Sequence, residues 1–503
     1  MKKFYIATLG CKVNQYESDG IASQLIEKGW QKVDKVENAE FCIVNTCAVT
    51  SKGAMQSRQQ IRSIAKANLS SKIIVTGCYA QTSPDEIRKI EGVDLIVGYD
   101  DKFRLSDILI KSVNNIVFQI NKLAIPISPT PHPLPNGEGN KYSLPLGRVG
   151  EGQNKIEIED GDIKEKEVVT PFFKPAVTGD KTRAYLKIQD GCNAFCTYCI
   201  VPYSRGRSSS MPPDDVIEHL LHLSSKGYKE AILTGIHVGA YGVDFKESSS
   251  IINKHDKNNI ENVEADKINS PLTQLLIEIN RIKPIHRVRL SSIEPKELTD
   301  EIINLAAKNS ILCDHFHIPL QSGDDTILKR MGRPYNSDLF SNLINKIYNI
   351  LPNAAIGVDI LVGFPGESNQ AFENTLNLIK QLPISYLHVF PFSPRKGTKA
   401  YDYPDKVNNT IVKERSAIIR ELGFQKRRDF EDRLINQNAY LEHHIESVVQ
   451  DKRDDKTGRL IAITSNYLSV LVDGNDELKR QVVKIKLEGR DKEGRLIGRI
   501  ISK

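Results

Sequence analysis

The strongest constraint on the fold is a pattern that the first part of the chain repeats three times: an apolar run, a turn of small residues with a cysteine, and a helical stretch. The cysteines, Cys11, Cys47 and Cys78, are 36 and 31 residues apart, about the length of one strand–helix–strand unit. Parallel strands place their carboxyl ends at one edge of a sheet, where ligands bind in open α/β folds. The repeat therefore predicts an open parallel α/β domain in which these cysteines lie close together.

The composition of the chain then changes several times. A Pro- and Gly-rich stretch followed by a charged run, within 121–177, predicts a linker with a disordered insertion. Strand-like runs such as EAILTG and AAIGVDILVGF next alternate with helical segments, which predicts a second, larger parallel α/β domain. Short alternating runs near the C-terminus predict a small antiparallel β-barrel. The predicted regions are an N-terminal domain at 1–115, a linker at 116–178, a central domain at 179–410 with a polar surface insertion at 244–270, a connecting helix at 411–438 and a C-terminal domain at 439–503.

The eight cysteines of the chain are not expected to form a disulfide framework. No apolar run approaches the roughly 20 residues that a membrane-spanning helix needs, and the N-terminus turns polar too early for a signal peptide. We therefore expect a cytoplasmic protein with no membrane partner, in a compartment that keeps thiols reduced. The net charge of +6 over 503 residues permits a nucleic-acid partner without requiring one. Closely spaced cysteines in such a chain indicate metal or redox chemistry.

The most specific local motif is Cys192-x-x-x-Cys196-x-x-Cys199. Three thiolates so close together on a loop can hold three irons of a [4Fe–4S] cube and leave the fourth iron without a protein ligand. An open iron of this kind can chelate S-adenosylmethionine and pass one electron into its sulfonium, and the radical so made can cleave unactivated C–H bonds. The alternative is a zinc site with a fourth ligand elsewhere in the chain.

Several segments resemble those of a known family. DGCNAFCTYCIVPYSRGRS is similar to the cluster loop of radical S-adenosylmethionine enzymes, and with TLGCKVNQYES, VNTCAVT and VTGCYAQ ahead of it the chain resembles the methylthiotransferases. Later segments fit as well, among them LTGIHVGAYG, RLSSIEP, FHIPLQSGDDTILKRMGRPY, GVDILVGFPGES and HVFPFSPRKGTKA. The resemblance covers nearly everything except the two insertions. It implies an α/β fold with a central partial (β/α) barrel and a C-terminal barrel that resembles the RNA-binding TRAM module.

The resemblance also implies roles for individual residues. Cys11, Cys47 and Cys78 would hold a second [4Fe–4S] cluster, again with one open iron, which carries the sulfur that is transferred; from the residues alone, three unrelated buried cysteines remain the alternative. Cys42 and Cys313 match no ligand position and are expected to be inert packing residues. The candidates to bind S-adenosylmethionine are Tyr198, which precedes the last cysteine of the loop, and the strand-end residues Gly235, Ser292, Glu294, Gln321 and Asp359. Each strand-end residue has an alternative as a turn, capping or hydrogen-bonded structural residue.

Basic residues toward the C-terminus are candidates to contact RNA through its backbone. A solvated helix face is an equal alternative for those in the connecting helix, because acidic residues are interleaved with them. The base itself would be extruded from the anticodon loop into the catalytic cleft. The candidate RNA-binding residues are Arg427, Arg428, Lys484 and Lys486. No histidine is assigned a catalytic role, since a single histidine beside an apolar run is more often structural.

The predicted function is therefore a tRNA methylthiotransferase. The segment TLGCKVNQYES, rather than a GCQMN type, is most similar to the branch that adds a methylthio group to C2 of N6-threonylcarbamoyladenosine beside the anticodon. Radical chemistry is needed because this aromatic C–H bond is neither acidic nor electrophilic enough for side-chain acid–base catalysis. The expected cofactors are two [4Fe–4S] clusters and S-adenosylmethionine, and the expected partners are tRNA and an electron donor such as a flavodoxin or ferredoxin.

Two kinds of alternative remain at the level of sequence. The first is the same chemistry on N6-isopentenyladenosine of tRNA or on an aspartate of a ribosomal protein. The second is an RNA-binding protein whose clusters are structural or redox-sensing. Two cysteine triads that each leave one iron open argue against the second alternative, because structural clusters usually have four protein ligands.

Overall fold

The computed structural model describes residues 1–114, 123–124, 172–174, 181–245, 270–308, 311–440 and 444–502. The two predicted insertions, within 121–177 and at 244–270, lie almost entirely outside the described residues. None of the helices in the described part of the chain is both long and apolar enough to cross a membrane.

The N-terminal region is built on one parallel sheet. Its strands are β1 (Lys3–Thr8), β2 (Gln31–Lys32), β3 (Phe41–Thr46), β4 (Lys72–Gly77), β5 (Val93–Ile96) and β6 (Leu123–Ala124), and its helices are α1 (Lys12–Glu27), α2 (Ser51–Ala67), α3 (Cys78–Thr82), α4 (Pro84–Arg88) and α5 (Leu105–Asn114). The strand order is β2-β1-β3-β4-β5-β6. Alternate residues of the strands join two separate apolar clusters, one on each face, so the middle strands are continuous apolar runs. The predicted parallel α/β arrangement is present.

The central region has two three-stranded parallel sheets. The strands are β7 (Ala184–Lys187), β10 (Glu230–Thr234), β11 (Arg287–Leu290), β12 (His315–His317), β13 (Ala355–Val362) and β14 (Tyr386–Pro391), and β8 (Gln189–Asp190) pairs separately with β9 (Ser209–Ser210). The helices are α6 (Val201–Arg205), α7 (Pro213–Ser225), α8 (Pro271–Ile282), α9 (Asp300–Ala307), α10 (Asp325–Met331), α11 (Ser337–Ile350) and α12 (Asn369–Gln381). Isolated bridges, Val288 to Leu312 and Ser292 to His317, join the sheets in the order β7-β10-β11-β12-β13-β14.

The helices of this region begin where the sequence supplies a capping side chain. Thr299, Asp324, Asn336 and Ser368 stand just before α9, α10, α11 and α12, and each accepts a hydrogen bond from the backbone N–H three residues later. Such caps satisfy backbone donors that the first helical turn leaves unpaired.

The two faces of the central sheet differ in chemistry. Val288, Leu290, Ile356 and Val358 face the helices and belong to the main apolar cluster. Side chains alternate between the faces of a strand, so Arg289 and Asp359, which neighbour Leu290 and Val358, point to the opposite side. We call the opposite side the polar face; its residues are Arg183, Tyr185, Glu230, Arg287, Arg289, His315, His317, Asp359, Tyr386 and His388.

The C-terminal region is a closed five-stranded barrel that follows a long helix, α13 (Asn409–Tyr440). Its strands are β15 (Ile445–Arg453), β16 (Leu460–Thr464), β17 (Ser469–Val472), β18 (Val482–Arg490) and β19 (Leu496–Ser502). The sequence predicts an antiparallel barrel, and the structure differs in one pairing, because β17 and β19 run parallel. A closed ring with an odd number of strands cannot alternate direction throughout, so one parallel pair is unavoidable.

Candidate active site

The N-terminal cysteines stand at the carboxyl ends of three neighbouring strands. Cys11 precedes α1, Cys47 directly follows β3, and Cys78 directly follows β4. We call these three residues the N-terminal triad. Each thiol acts electrostatically on another member of the triad, and burial raises the pKa of the Cys47 thiol to about 11. The sheet therefore brings together cysteines that are distant in sequence.

Hydrogen bonds from α1 and α2 fix the loops that carry this triad. The buried Asn14 side chain donates to the carbonyls of Leu9 and Thr46, at 2.7 and 3.1 Å. The backbone N–H of Cys47 donates to Ser57 Oγ at 3.2 Å. Asn14 thus joins the loops after β1 and β3, so that Cys11 and Cys47 are held by the same side chain.

The second set of cysteines lies on one loop that follows β8. We call Cys192, Cys196 and Cys199 the central triad. Gly191, which opens the loop, has a φ of +68°, and a Cβ there would lie 1.8 Å from the Arg207 carbonyl oxygen, so only glycine fits. The N–H of Cys199 donates to the Cys196 carbonyl at 3.0 Å, and burial raises the pKa of the Cys199 thiol to about 12.

Two cationic side chains contact sulfurs of the central triad. Arg333 Nη1 donates to Cys196 Sγ at 3.3 Å, and Arg333 also forms an ion pair with Glu294. His237 Nδ1 lies 3.5 Å from Cys192 Sγ, and its Nε2 lies 2.8 Å from Glu297. Burial opposes the charge of His237, but its contacts with Cys192 and Glu297 raise its pKa to about 10.

Both triads lie next to the contact between the N-terminal and central regions. Helix α3, which begins at Cys78, packs against α6, which begins two residues after Cys199. Arg205, at the end of α6, acts electrostatically on the Cys78 and Cys11 thiols. Sequence reasoning did not single out Arg205 or Arg333, although both lie in segments that carry the family resemblance.

Arg205 is part of a buried network of charges that joins the two regions. Its guanidinium donates to Asn14 at 2.7 Å, to Glu17 at 2.8 Å and to Asp190 at 3.1 Å. Lys187 pairs with the same two carboxylates, at 3.1 and 2.5 Å. Lys102 pairs with Glu17 at 2.7 Å. The three cations and two carboxylates are all buried, so the network leaves one positive charge beside the N-terminal triad.

The geometry of the triads suits a multi-iron cluster better than a single ion. In the described part of the chain, the group of three metal-ligating side chains whose ligand atoms all lie within 4.8 Å is His317, Asp359 and His388, so the sulfurs of neither triad are that close. Thiolates around one zinc ion are roughly 3.8 Å apart, given a Zn–S distance of ~2.3 Å, whereas a cube presents its irons at separate corners. Glycine also leaves room for a cluster, because a Cβ at Gly10 would lie 3.0 Å from Cys47 Sγ.

The structure brings some of the predicted cofactor-binding residues together. Asp359 accepts hydrogen bonds from His317 at 2.7 Å and from His388 at 3.2 Å. Burial raises the pKa of Asp359, but these hydrogen bonds outweigh it and lower the pKa to about 2. Ser292 Oγ lies 3.3 Å from the other nitrogen of His317. Glu294 forms an ion pair with Arg333, which in turn contacts Cys196 of the central triad.

The other predicted cofactor-binding residues have structural contacts of their own. Gln321 adopts a φ of +67° and its N–H donates to the Asp359 carbonyl at 2.8 Å. Gly235 lies against Gln189, whose carbonyl oxygen would be 2.8 Å from an added Cβ. Tyr198 packs edge-on against Phe364, at 6.3 Å between ring centroids. These three are not joined to Ser292 and Asp359 by direct side-chain contacts in the structure.

The candidate RNA-binding residues lie on α13 and the C-terminal barrel. Arg427 forms an ion pair with Glu431 at 2.8 Å, one helical turn away. Arg428 is exposed on the same helix. Lys484 is exposed and Lys486 half-buried on β18, which packs against α13. The four residues therefore belong to neighbouring elements.

Comparison with known proteins places this site in a family. Residues 3–98 match the model described as "Uncharacterized protein family UPF0004", and residues 186–379 match the radical SAM superfamily. The threonylcarbamoyladenosine tRNA methylthiotransferase MtaB of Bacillus subtilis is 36% identical over 95% of this chain and 92% of the relative. The chain belongs to the methylthiotransferase family of radical S-adenosylmethionine enzymes. The family resemblance predicted from the sequence is confirmed.

Two further comparisons concern another curated relative and a solved structure. The tRNA-2-methylthio-N(6)-dimethylallyladenosine synthase of Bacillus subtilis is 28% identical over 97% of this chain and 84% of the relative. Among solved structures, the radical S-adenosylmethionine methyltransferase TsrM of Kitasatospora setae is similar with a TM-score of 0.50 at 14% identity, over 80% of this chain and 74% of that one. The structural similarity shows the fold alone.

Proposed function

We propose that this chain is a tRNA methylthiotransferase that adds a methylthio group to C2 of N6-threonylcarbamoyladenosine beside the anticodon. The observation that carries the proposal is that two cysteine triads, each one ligand short of a filled [4Fe–4S] cluster, lie next to the same contact between the N-terminal and central regions. The Bacillus subtilis relative at 36% identity is named for this substrate. A cytoplasmic enzyme fits this role, since the substrate is tRNA.

The cofactors divide the chemistry between the two triads. Cys192, Cys196 and Cys199 would hold a cluster that, with S-adenosylmethionine bound, would supply one-electron chemistry able to break a C–H bond. Cys11, Cys47 and Cys78 would hold a second cluster, which would supply the sulfur. Arg333 and His237 place positive charge against the sulfurs of Cys196 and Cys192, which stabilises the negative charge that thiolate ligands bring. Arg205 holds the two cysteine-bearing loops at a fixed separation through its buried carboxylate partners.

The candidate S-adenosylmethionine-binding residues are part of this proposal. Glu294 and Arg333 offer opposite charges beside Cys196, a pair that suits the amino and carboxylate groups of the methionine moiety. Ser292 and Asp359 are joined to each other by hydrogen bonds with His317. The backbone at Gly235 and Gln321 would lie close to the cofactor, and the ring of Tyr198 would pack against it.

The C-terminal barrel is proposed to be a TRAM-like module that binds the tRNA. Its five-stranded closed form is typical of small nucleic-acid-binding barrels. Lys484 is exposed on β18, and Arg428 is exposed on the helix that packs against it, so the two would contact the RNA backbone from one side. An electron donor such as a flavodoxin or ferredoxin would reduce the central cluster.

The main rival is the same chemistry on dimethylallyladenosine, for which a relative at 28% identity is named. The higher identity of 36% over a larger share of the relative favours threonylcarbamoyladenosine. A redox-sensing RNA-binding protein is disfavoured because the family consists of enzymes and because both triads leave a ligand position open.

The proposal is tested by mass spectrometry of tRNA nucleosides from cells that lack the gene, with and without the gene restored. We expect methylthio-threonylcarbamoyladenosine to disappear and to return with the wild-type gene, but not with Cys11→Ala or Cys192→Ala. If a different methylthio nucleoside disappears instead, the substrate assignment is wrong. If no methylthio nucleoside changes, the proposed enzymatic function is wrong.

A further inference from the structure

The arginines of the polar face differ in how fully their donors are engaged. Arg183, Arg287 and Arg289 all pair with the single buried carboxylate of Glu230, at 3.4, 2.6 and 2.9 Å. Arg287 also forms an ion pair with Glu446 at 3.7 Å, and Arg287 and Arg289 donate to backbone carbonyls of the C-terminal barrel. Arg183, which has the longest of the three ion pairs with Glu230, is the least engaged of these guanidinium groups.

Two acidic residues of the region have surroundings of their own. Asp359 accepts hydrogen bonds from both His317 and His388. Asp314 is enclosed beside Arg289, and burial raises its pKa, which favours its uncharged form. In the described part of the chain, neither carboxylate forms an ion pair with Arg183.

Aromatic rings with polar atoms lie on the same face. Tyr467, from the loop between β16 and β17 of the C-terminal barrel, lies on the polar face with its ring centroid 4.6 Å from that of His315. The Arg289 and Arg183 guanidinium groups lie 5.0 and 5.7 Å from the same ring centroid. Tyr386 lies next to His388, at 5.3 Å between centroids. These groups offer hydrogen bonds and charge rather than the aliphatic lining that a hydrocarbon substituent needs.

Lys12 brings a further cation to the edge of the polar face. It is the first residue of α1, directly after Cys11, and α1 packs against β7, the first strand of the six-strand order. Its half-buried side chain interacts electrostatically with Tyr467, Arg183, Arg289 and Glu230. It makes no hydrogen bond or ion pair with any residue that the structure describes. Lys12 therefore lies beside both the N-terminal triad and the polar face, and the described residues leave its ammonium without a hydrogen-bonding partner.

We propose that Lys12 and Arg183 bind the carboxylate of the substituent on N6 of the substrate base, and thereby select threonylcarbamoyladenosine over dimethylallyladenosine. This inference rests on the proposed function. The threonylcarbamoyl group ends in a carboxylate and a hydroxyl group, whereas a dimethylallyl group has only carbon and hydrogen, so a charged pocket distinguishes the two. Lys12 also lies in TLGCKVNQYES, where a sequence of the GCQMN type has glutamine after the cysteine.

The test is a binding experiment with the full chain, loaded with its clusters, and anticodon stem–loop RNAs that differ only at the target base. The bases are threonylcarbamoyladenosine, unmodified adenosine and dimethylallyladenosine. We expect the wild type to bind the threonylcarbamoyl RNA about tenfold or more tightly than the other two, the usual size of a charge-assisted hydrogen bond. Lys12→Gln is expected to lose most of that preference, and Lys12→Arg to keep most of it.

Matched variants separate recognition from misfolding. Lys35→Gln removes an exposed lysine of the same region and is expected to keep the full preference. Iron content and thermal unfolding show whether Lys12→Gln retains its clusters and fold. If it does not, Arg183→Gln provides the test, with the same expected loss of preference.

The outcomes distinguish this inference from the proposed function. A wild type that prefers threonylcarbamoyl RNA, together with a Lys12→Gln or Arg183→Gln variant that keeps the preference, overturns the inference and leaves the proposed function intact. A wild type that prefers the dimethylallyl RNA overturns both. A wild type with equal affinity for the three RNAs overturns the inference, and the nucleoside analysis described above then decides the function separately.

Discussion

The N-terminal and central triads present three thiols each but are built in opposite ways. The central triad lies within eight consecutive residues, from Cys192 to Cys199, on one loop. The N-terminal triad is drawn from the ends of β1, β3 and β4, and it exists only when the parallel sheet has formed. A triad on one loop can be predicted from a short sequence motif and needs only that loop to be folded. A triad built from three strands depends on the stability of a whole domain and of its contact with the central region.

The largest expected effect separates the chemical roles of the triads. Cys192→Ala is expected to abolish both the cleavage of S-adenosylmethionine and the methylthio product, because we propose that this cofactor binds at the central cluster. Cys11→Ala is expected to abolish the product yet keep cleavage of S-adenosylmethionine under reducing conditions. Each variant should bind roughly half of the wild-type iron, since each retains one complete triad. Product analysis, release of deoxyadenosine and iron content measure the three quantities.

Cys42→Ala is the control for these variants, because Cys42 is buried within β3 and stands outside both triads. It should keep the iron content and both activities. A Cys11→Ala enzyme that no longer cleaves S-adenosylmethionine would contradict the division of labour between the triads.

The next effect concerns the network that holds the two triads together. Arg205→Met leaves Glu17 and Asp190 with one fewer cation in a buried site, which is expected to lower the free energy of unfolding by about 3–5 kcal/mol. Arg499→Met removes an exposed pair with Glu488 and is expected to cost less than about 1 kcal/mol. Denaturant unfolding of the two variants measures the difference, and similar values would show that the buried network does not stabilise the contact.

A glycine substitution tests the room around the N-terminal triad. Gly10 has a φ of +102°, and a Cβ there would lie 2.9 Å from Cys47 Cβ, so Gly10→Ala is expected to cost about 1–3 kcal/mol and to reduce iron in the N-terminal triad. Gly332 has a φ of +75° but its Cβ would meet nothing closer than 3.6 Å, near the central triad. Gly332→Ala should therefore lower the free energy of unfolding only through backbone strain. The central triad of this variant should keep its iron. Equal loss of iron in the two variants would contradict this comparison.

The smallest expected effect is on the reduction potential of the central cluster. Arg333→Gln removes a positive charge and a 3.3 Å hydrogen bond to Cys196 Sγ, and a cluster that loses such a contact becomes harder to reduce. A loss of about 1 kcal/mol corresponds to a decrease of about 40 mV for a one-electron couple. A redox titration followed by electron paramagnetic resonance measures both clusters, and only the potential of the central one is expected to change.

The parallel sheets and the cysteine sites could be predicted from the sequence because each depends on a short local pattern. Apolar runs that end in a cysteine identify each strand of the N-terminal sheet, and the spacing of Cys192, Cys196 and Cys199 is a motif within one loop. Sequence reasoning missed Arg205, Arg333 and Lys12, whose neighbours in sequence give no hint of their partners. Arg205 and Glu17 are 188 positions apart, and no periodicity links an arginine to a carboxylate at that distance.

The sequence by itself determined the alternation of strands and helices, the local cysteine loop and the family, because each depends on short-range pattern or on similarity read position by position. Only the tertiary structure decided which surfaces meet. Helix α3 packs against α6, which brings Cys78 and the loop of the central triad to the same interdomain contact, and Tyr467 of the C-terminal barrel lies on the polar face beside Arg289. The physical reason is that packing between domains is set by the shape and charge of whole surfaces. Such surfaces are assembled from residues that are far apart along the chain.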